Sequence, residues 1–123
     1  MLMQSNTMKT RPDRVLSMLG IAAKAGKIVS GEFATENAVK SATAYLVVIA
    51  ADASANTRKK FCDMTSFYEV PIIEYGTKET LGGCIGKDYR SSLAVTDEKL
   101  ARAVEKKLQI LTDAQKSVGN DRI

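Results

Sequence analysis

The apolar positions of this chain follow a helical spacing in some segments and a strand-like pattern in others. Apolar residues recur every three or four positions at residues 15–23 and again at residues 100–111, which predicts amphipathic helices. Residues 45–51 read Y-L-V-V-I-A-A, a continuous apolar run that is typical of a central strand covered on both faces. Because such a strand needs a cover on each side, we expect helices on both faces of the sheet.

Capping and turn residues indicate where the remaining elements begin and end. Side chains that cap helix starts stand at Asp13, at Asp52 and Ser54, at Thr77 and at Asp97. Strands are predicted at residues 28–29, 45–51, 70–75 and 92–95, and a third helix at about residues 55–67 would turn Phe61, Cys62, Met64 and Thr65 toward the core.

The alternation of helices and strands predicts an α/β fold, a three-layer α/β/α sandwich with a small mixed sheet in a single domain. We expect that domain to span residues 13–111, between a flexible N-terminal tail at residues 1–12 and a C-terminal tail at residues 112–123 that frays. In open sheets of this kind, ligands meet the loops at one end. Here those loops are expected at residues 30–31, 52–54, 75–77 and 86–90.

Composition excludes several classes of protein. The chain has 123 residues, 45% of them hydrophobic, which suits one domain with a real core. Its start is polar, and no apolar run reaches the roughly 18 residues of a membrane span, so we expect a cytoplasmic protein that does not enter a membrane.

The lack of histidine argues against several kinds of chemistry. With no histidine and only two cysteines, far apart in the sequence, neither a familiar catalytic triad nor a zinc site is indicated, and we expect no enzymatic activity, no cofactor and no metal. Cys62 and Cys84 are far apart in the sequence and are predicted to be buried small hydrophobes.

The positive charge is concentrated near the start of the chain. The net charge is +4, and residues 1–30 already carry five basic side chains against the single acid Asp13. A one-sided basic field steers a protein toward a polyanion, although mild basicity also occurs in a simply solvated face. The basic residues of this segment are Lys9, Arg11, Arg14, Lys24 and Lys27.

The turn at residues 27–32 is the strongest candidate for a binding site. It precedes the second predicted helix, where Gly31 has no Cβ and lets backbone N–H groups approach a phosphate that the helix dipole favours. Lys24, Lys27 and Lys40 would supply positive charge. The alternative is that Gly31 only eases a tight turn and that the lysines form a solvated face.

Four motifs in order resemble those of a known family. They are L-x-x-L-G-I-A-x-K-A-G-K-I-V-S-G-E at residues 16–32, L-V-V-I-A-A-D-A-S at 46–54, V-P-I at 70–72 and T-K-E-T-L-G-G-C-I-G-K at 77–87. Over residues 14–111 the chain resembles the bacterial branch of the large-subunit ribosomal protein seven-Ae and thirty-e superfamily. The resemblance implies a small α/β/α sandwich that binds RNA, often a kink-turn, through the start of its second helix and the loop after its fourth.

The base-reading residues of that family are only partly present. Its typical kink-turn binders carry G-x-N-E-x-x-K at the second helix start, where this chain keeps Gly31 but has Phe33, Ala34 and Asn37 at the Asn, Glu and Lys positions. Residues 87–90 are more basic than the family loop and include an aromatic ring that could stack on a base. The predicted RNA-binding residues are Lys24, Lys27, Ser30, Gly31, Glu32, Phe33, Asn37, Lys40, Lys87, Asp88, Tyr89 and Arg90.

The sequence therefore predicts non-enzymatic binding of structured RNA, a kink-turn or a related ribosomal RNA element. The protein would be ribosomal or ribosome-associated, with ribosomal proteins as further partners and a monomeric free state. One alternative is a protein-interaction module that has lost the RNA base readers and docks partners through Phe33, Ala34 and Tyr89. Another is a substrate-binding domain of the kind joined to RNA methyltransferases.

Overall fold

The computed structural model describes residues 13–121, with side chains described for residues 13–109; the predicted N-terminal tail at residues 1–12 lies outside the described part. Five helices and four strands form this part of the chain. They are α1 (Arg14–Lys24), β1 (Ile28–Ser30), α2 (Glu32–Lys40), β2 (Leu46–Ile49), α3 (Ala55–Tyr68), β3 (Ile72–Glu74), α4 (Lys78–Cys84), β4 (Ser92–Val95) and α5 (Glu98–Asp121).

Side-chain caps set the starts of most of these helices. The Asp13 carboxylate accepts a hydrogen bond from Leu16 N at the start of α1, and Asp97 accepts one from Leu100 N at the start of α5, each at 2.9 Å. Such bonds satisfy backbone donors that have no partner within the helix. Ser54 and Thr77 cap α3 and α4 in the same way, and all four caps confirm the sequence predictions.

The four strands form a mixed sheet in the order β1-β4-β2-β3. β2 and β3 are parallel, whereas β4 pairs antiparallel with both β1 and β2. The two central strands, β2 and β4, are buried along their whole length, which for β2 confirms the prediction from the continuous apolar run. α2 packs against α3, while α1 packs against α4 and α5, so helices cover the sheet in two layers. This arrangement confirms the α/β/α sandwich.

The strand directions bring the predicted ligand-binding loops to one end of the sheet. Ile49 at the end of β2 pairs with Ser92 at the start of β4, and Ser30 at the end of β1 pairs with Leu93. β3 runs parallel to β2, so it ends on the same side. We call this side the loop end and define it by Gly31 and the segments 50–54, 75–77 and 85–91.

Some exposed residues differ from the sequence predictions. Cys62 is exposed and Cys84 is half-buried, although both were predicted to be buried. In α3, Phe61 and Thr65 face the core and lie one helical turn apart. Cys62 follows Phe61 by one residue, so its side chain points about 100° around the helix axis from that of Phe61. Phe67, near the end of the same helix, is 79% exposed.

The last helix continues beyond the boundary predicted for the domain. α5 extends to Asp121, whereas the sequence places the end of the domain at residue 111. No proline interrupts residues 112–121, and low apolar content limits packing rather than helix formation. Leu111, in the predicted apolar stripe, lies outside the part with described side chains. No helix within the described residues is long and apolar enough to cross a membrane.

Candidate functional site

Within the described part of the chain, four helices begin at the loop end, and only α2 begins there without a side-chain cap. α1 reaches this end because the Tyr75 hydroxyl, just after β3, donates a hydrogen bond to Asp13 Oδ2 at 2.8 Å. Gly31 occupies the N-cap position of α2 and has no side chain to offer. Among the described residues, the N–H groups of Glu32, Phe33 and Ala34 have no hydrogen-bond partner. The start of α2 therefore presents free donors at the positive end of a helix dipole.

Backbone geometry explains why glycine occupies the start of α2. Gly31 has φ of +96°, a conformation that residues with a Cβ rarely adopt. Its N–H donates to the Ser92 carbonyl at 3.0 Å, which ties the start of α2 to the start of β4. A Cβ at this position would meet no neighbouring atom within 4 Å, so backbone conformation rather than crowding selects glycine here.

Arg90 connects the loop before β4 to the start of α2. Its Nε donates to Ser30 Oγ at 3.0 Å, and its Nη1 donates to the Tyr89 carbonyl at 2.8 Å. Its backbone N–H donates to the Lys78 carbonyl at 3.0 Å. Among the described residues, Nη2 has no partner. Arg90 thus fixes the loop and leaves a permanent positive charge beside the uncapped helix start.

The segment 87–90 lies directly against α4. Lys87 N donates to the Gly82 carbonyl at 2.8 Å, and the Asp88 carbonyl lies so close to Gly82 Cα that a Cβ at Gly82 would overlap it. Lys87, Asp88 and Tyr89 are exposed, the Tyr89 ring by 66%. The close approach at Gly82 therefore determines where these three side chains enter solvent.

Two exposed aromatic rings lie at this end of the molecule. Phe33, in the first turn of α2, is 77% exposed, and Asn37 follows it by one turn on the same exposed face. Tyr89 is the second exposed ring. Large aromatic side chains in solvent are typical of binding surfaces, and their flat faces suit stacking on nucleobases.

A network of ion pairs covers the side of α2 that faces α3. Lys60 Nζ lies 2.9 Å from Glu32 Oε2 and 2.8 Å from Glu36 Oε1. Lys40 Nζ lies 2.7 Å from Glu36 Oε2. The hydrogen bonds from Lys40 and Lys60 lower the pKa of Glu36 from 4.5 to about 2, and those to Glu36 and Glu32 raise the pKa of Lys60. The carboxylate of Glu32 is therefore compensated by a lysine on the neighbouring helix.

Three of the predicted RNA-binding lysines do not lie at the loop end. Lys24 ends α1, and Lys27 lies beside Thr96 at the far end of β1, about 13 Å from Gly31 along the strand. Lys40 ends α2, about 13 Å along the helix from its start, and is paired with Glu36. These three lysines therefore lie away from the α2 start, because residues that are close in sequence across a strand or helix are still separated by its length. Their part in RNA binding stays a prediction.

Sequence reasoning missed three residues that line a shallow cavity at the loop end. Asp52, Lys78 and Glu79 form it together with Thr77 and Tyr89, with a volume of about 340 Å³. Asp52 was predicted to cap α3, but its Oδ1 accepts from Lys78 N at 2.8 Å and so caps α4. Because Thr77 caps α4, Lys78 and Glu79 lie in the first turn of that helix. The predicted cap at Thr77 could therefore have identified them as residues at the loop end. No group of three or more potential metal ligands occurs within the described residues.

The chain is similar to proteins of one family. The model of the ribosomal protein L7Ae/L30e/S12e/Gadd45 family matches residues 13–105. The "RNA-binding protein YlxQ" of Bacillus subtilis (strain 168) is 42% identical over 84 residues, which cover 68% of this chain and 84% of that protein. The protein of the same name from Enterococcus faecium is 32% identical over 96 residues, 78% of this chain and 92% of that one.

Solved structures share the fold. A protein with unknown function from Bacillus halodurans C superposes with a TM-score of 0.75 at 33% identity, covering 77% of this chain and 96% of that chain. The Giardia lamblia 15.5kD RNA binding protein superposes with a TM-score of 0.69 at 19% identity, covering 82% and 92%. At that lower identity, the likeness concerns the fold alone.

Proposed function

This chain belongs to the ribosomal protein L7Ae/L30e/S12e/Gadd45 family, and we propose that it binds structured RNA at its loop end without catalysing a reaction. The two YlxQ relatives are RNA-binding proteins by name, which supports RNA as the class of ligand. More specifically, we propose that the RNA is a kink-turn or a related ribosomal RNA element. The protein would be cytoplasmic, monomeric when free, and have ribosomal proteins as neighbours.

The uncapped start of α2 carries this proposal. Its three free N–H groups can donate to a phosphate, and the helix dipole favours the anion. Arg90, fixed to Ser30, adds a positive charge whose Nη2 can donate to the same backbone. At each of the other helix starts at the loop end, a capping side-chain oxygen already accepts from the third backbone N–H of the helix. We therefore propose that the RNA backbone bends over α2.

We propose that stacking contributes more to RNA recognition in this protein than hydrogen bonding to base edges. Phe33 and Ala34 have no side-chain polar atom with which to read a base, whereas Asn37 can both donate and accept. Phe33 and Tyr89 both expose their rings at this end of the molecule, and stacking tolerates different bases. This interface would recognise the shape of a bent RNA, with little dependence on base identity at the positions that Phe33 and Ala34 face.

A salt series tests this function directly. We would titrate the protein into a fluorescently labelled kink-turn RNA and, separately, into a plain duplex of the same length, at several salt concentrations. With about four to six phosphate contacts, log affinity should fall against log salt with a slope of roughly −3 to −5. The kink-turn should bind more tightly than the duplex throughout the series.

Variants at the stacking residues complete the test. Tyr89→Ala should weaken RNA binding by about 1–3 kcal/mol if its ring stacks on a base, whereas Tyr68→Ala, which removes an exposed ring outside the loop end, should have little effect. Equal affinity for kink-turn and duplex would remove the kink-turn proposal. Absence of any RNA binding at low salt would remove the function itself.

A further inference from the structure

The loop end and the first turns of the helices that begin there carry acidic as well as basic side chains. Lys78, Lys87 and Arg90 lie there, but so do several carboxylates: Glu32, Asp52, Glu79 and Asp88. A phosphate approaching the free donors of α2 meets Glu32, the first residue of that helix. Whether a polyanion can bind depends on how this carboxylate is compensated.

Lys60 is placed to compensate it. The residue lies on α3, outside the proposed contact surface, and its ammonium bridges Glu32 and Glu36 at 2.9 and 2.8 Å. Glu36 has a second partner in Lys40, whereas Glu32 has only Lys60 among the described residues. The side chains of Glu32 and Lys60 are 54% and 36% exposed, so this pair faces the solvent through which RNA would arrive.

The neighbouring cations of α3 are directed elsewhere. Lys59 pairs with Asp63 at 3.0 Å along the same helix. Arg58 pairs with Glu74 and donates through Nη2 to the Ala51 carbonyl at 2.9 Å, which holds the loop that precedes α3. Lys60 is therefore the basic residue within α3 that contacts the carboxylates of α2.

We propose that Lys60 is a positioning residue for RNA binding, which holds the Glu32 carboxylate against α3 and neutralises it, so that a phosphate can reach the start of α2. This inference rests on the proposed function. Lys60 acts through Glu32 and does not itself touch the RNA. Without the ammonium, Glu32 would remain as an uncompensated negative charge beside the phosphate path.

The test compares Lys60→Gln with Lys59→Gln in the same RNA titration. Lys59 offers a matched control, because it is adjacent, exposed and engaged in an ion pair that does not involve α2. Exposing one like charge near a bound phosphate should weaken binding by about 3- to 10-fold at low salt, and the difference should shrink as salt rises. Lys60→Arg, which keeps the charge, should bind like the unmodified protein.

A second variant separates neutralisation from other roles of Lys60. Adding Glu32→Gln to Lys60→Gln should restore affinity, because the charge that Lys60 compensates is then gone. If the double variant stays as weak as Lys60→Gln, Lys60 contacts the RNA directly or only stabilises the fold, and the inference is overturned. Glu32→Gln alone should bind RNA at least as tightly as the unmodified protein. This single variant still tests the inference if Lys60→Gln fails to fold.

The outcomes also distinguish this inference from the proposed function. If the unmodified protein binds RNA and Lys60→Gln matches Lys59→Gln, only the role of Lys60 fails. If the unmodified protein binds no RNA, the proposed function fails and the role of Lys60 fails with it.

Discussion

Replacing Gly82 with alanine should displace the loop that carries Lys87, Asp88 and Tyr89. A Cβ at Gly82 would overlap the carbonyl oxygen of Asp88, a backbone atom that cannot rotate away. Gly83, the next residue of α4, is exposed, and apart from its own helix no atom of the described residues lies within 4 Å of its ideal Cβ position. The two glycines therefore form a matched pair in which only one substitution creates a clash.

The two substitutions should change stability in opposite directions. Overpacking at Gly82→Ala should cost about 1–3 kcal/mol of the free energy of unfolding. Gly83→Ala should add about 0.5–1 kcal/mol, because alanine has the better helix propensity and no contact is disturbed. In thermal unfolding each kcal/mol corresponds to a Tm change of roughly 4 °C or more for a domain of this size.

Circular dichroism melts and the RNA titration would check both effects. Gly82→Ala should lower Tm and also weaken RNA binding at a temperature where the variant is fully folded, since the loop has moved. Gly83→Ala should leave RNA affinity unchanged. A Gly82→Ala variant with unaltered Tm and affinity would refute the close approach between α4 and the loop and, with it, the link between that approach and binding.

Three further perturbations test other parts of the structure. The pKa of Glu36 in the folded protein is lowered from 4.5 to about 2, so its ion pairs should stabilise the fold above pH 4.5 and lose that effect as pH falls toward 2. When the free energy of unfolding is measured by urea denaturation at several pH values, Glu36→Gln should reduce its pH dependence in this range. Burial and the hydrogen bond to Asp13 raise the pKa of Tyr75 from 10 to about 12. The stability linked to this group should therefore be retained below pH 10 and lost as pH rises toward 12. In an absorbance titration, the Tyr75→Phe variant should lack the phenol group that ionises near pH 12. Lys87→Gln should weaken RNA binding and reduce the slope of log affinity against log salt by about 1. Lys24→Gln together with Lys27→Gln should change neither the affinity nor the slope. The reverse pattern would place the RNA at the other end of the sheet.

The fold could be predicted from sequence because local signals agree with the tertiary structure. The apolar run at residues 45–51 contains the buried strand β2, and Asp13, Ser54, Thr77 and Asp97 cap the helices that they were expected to cap. Each cap is a contact across three residues, which a sequence pattern can reveal. The loop end could also be predicted, since strand direction decides which loops meet.

The composition of the candidate site could be predicted only in part, because its remaining contacts join distant residues. Asp52 caps α4 across 26 residues, and Lys60 compensates Glu32 across 28. No periodic pattern records such pairs. Lys27 is the opposite case, because it is close to Gly31 in sequence but separated from it in the structure by the length of β1.

Amide chemical-shift mapping would show whether RNA meets the loop end. We would record backbone spectra of the labelled protein while adding a kink-turn RNA. We expect shifts concentrated at residues 30–37, 50–54, 76–79 and 87–91, with the N–H groups of Glu32, Phe33 and Ala34 among the largest because phosphate would accept from them. Shifts concentrated instead around Lys24, Lys27 and Lys40, or no shifts at all, would contradict this expectation.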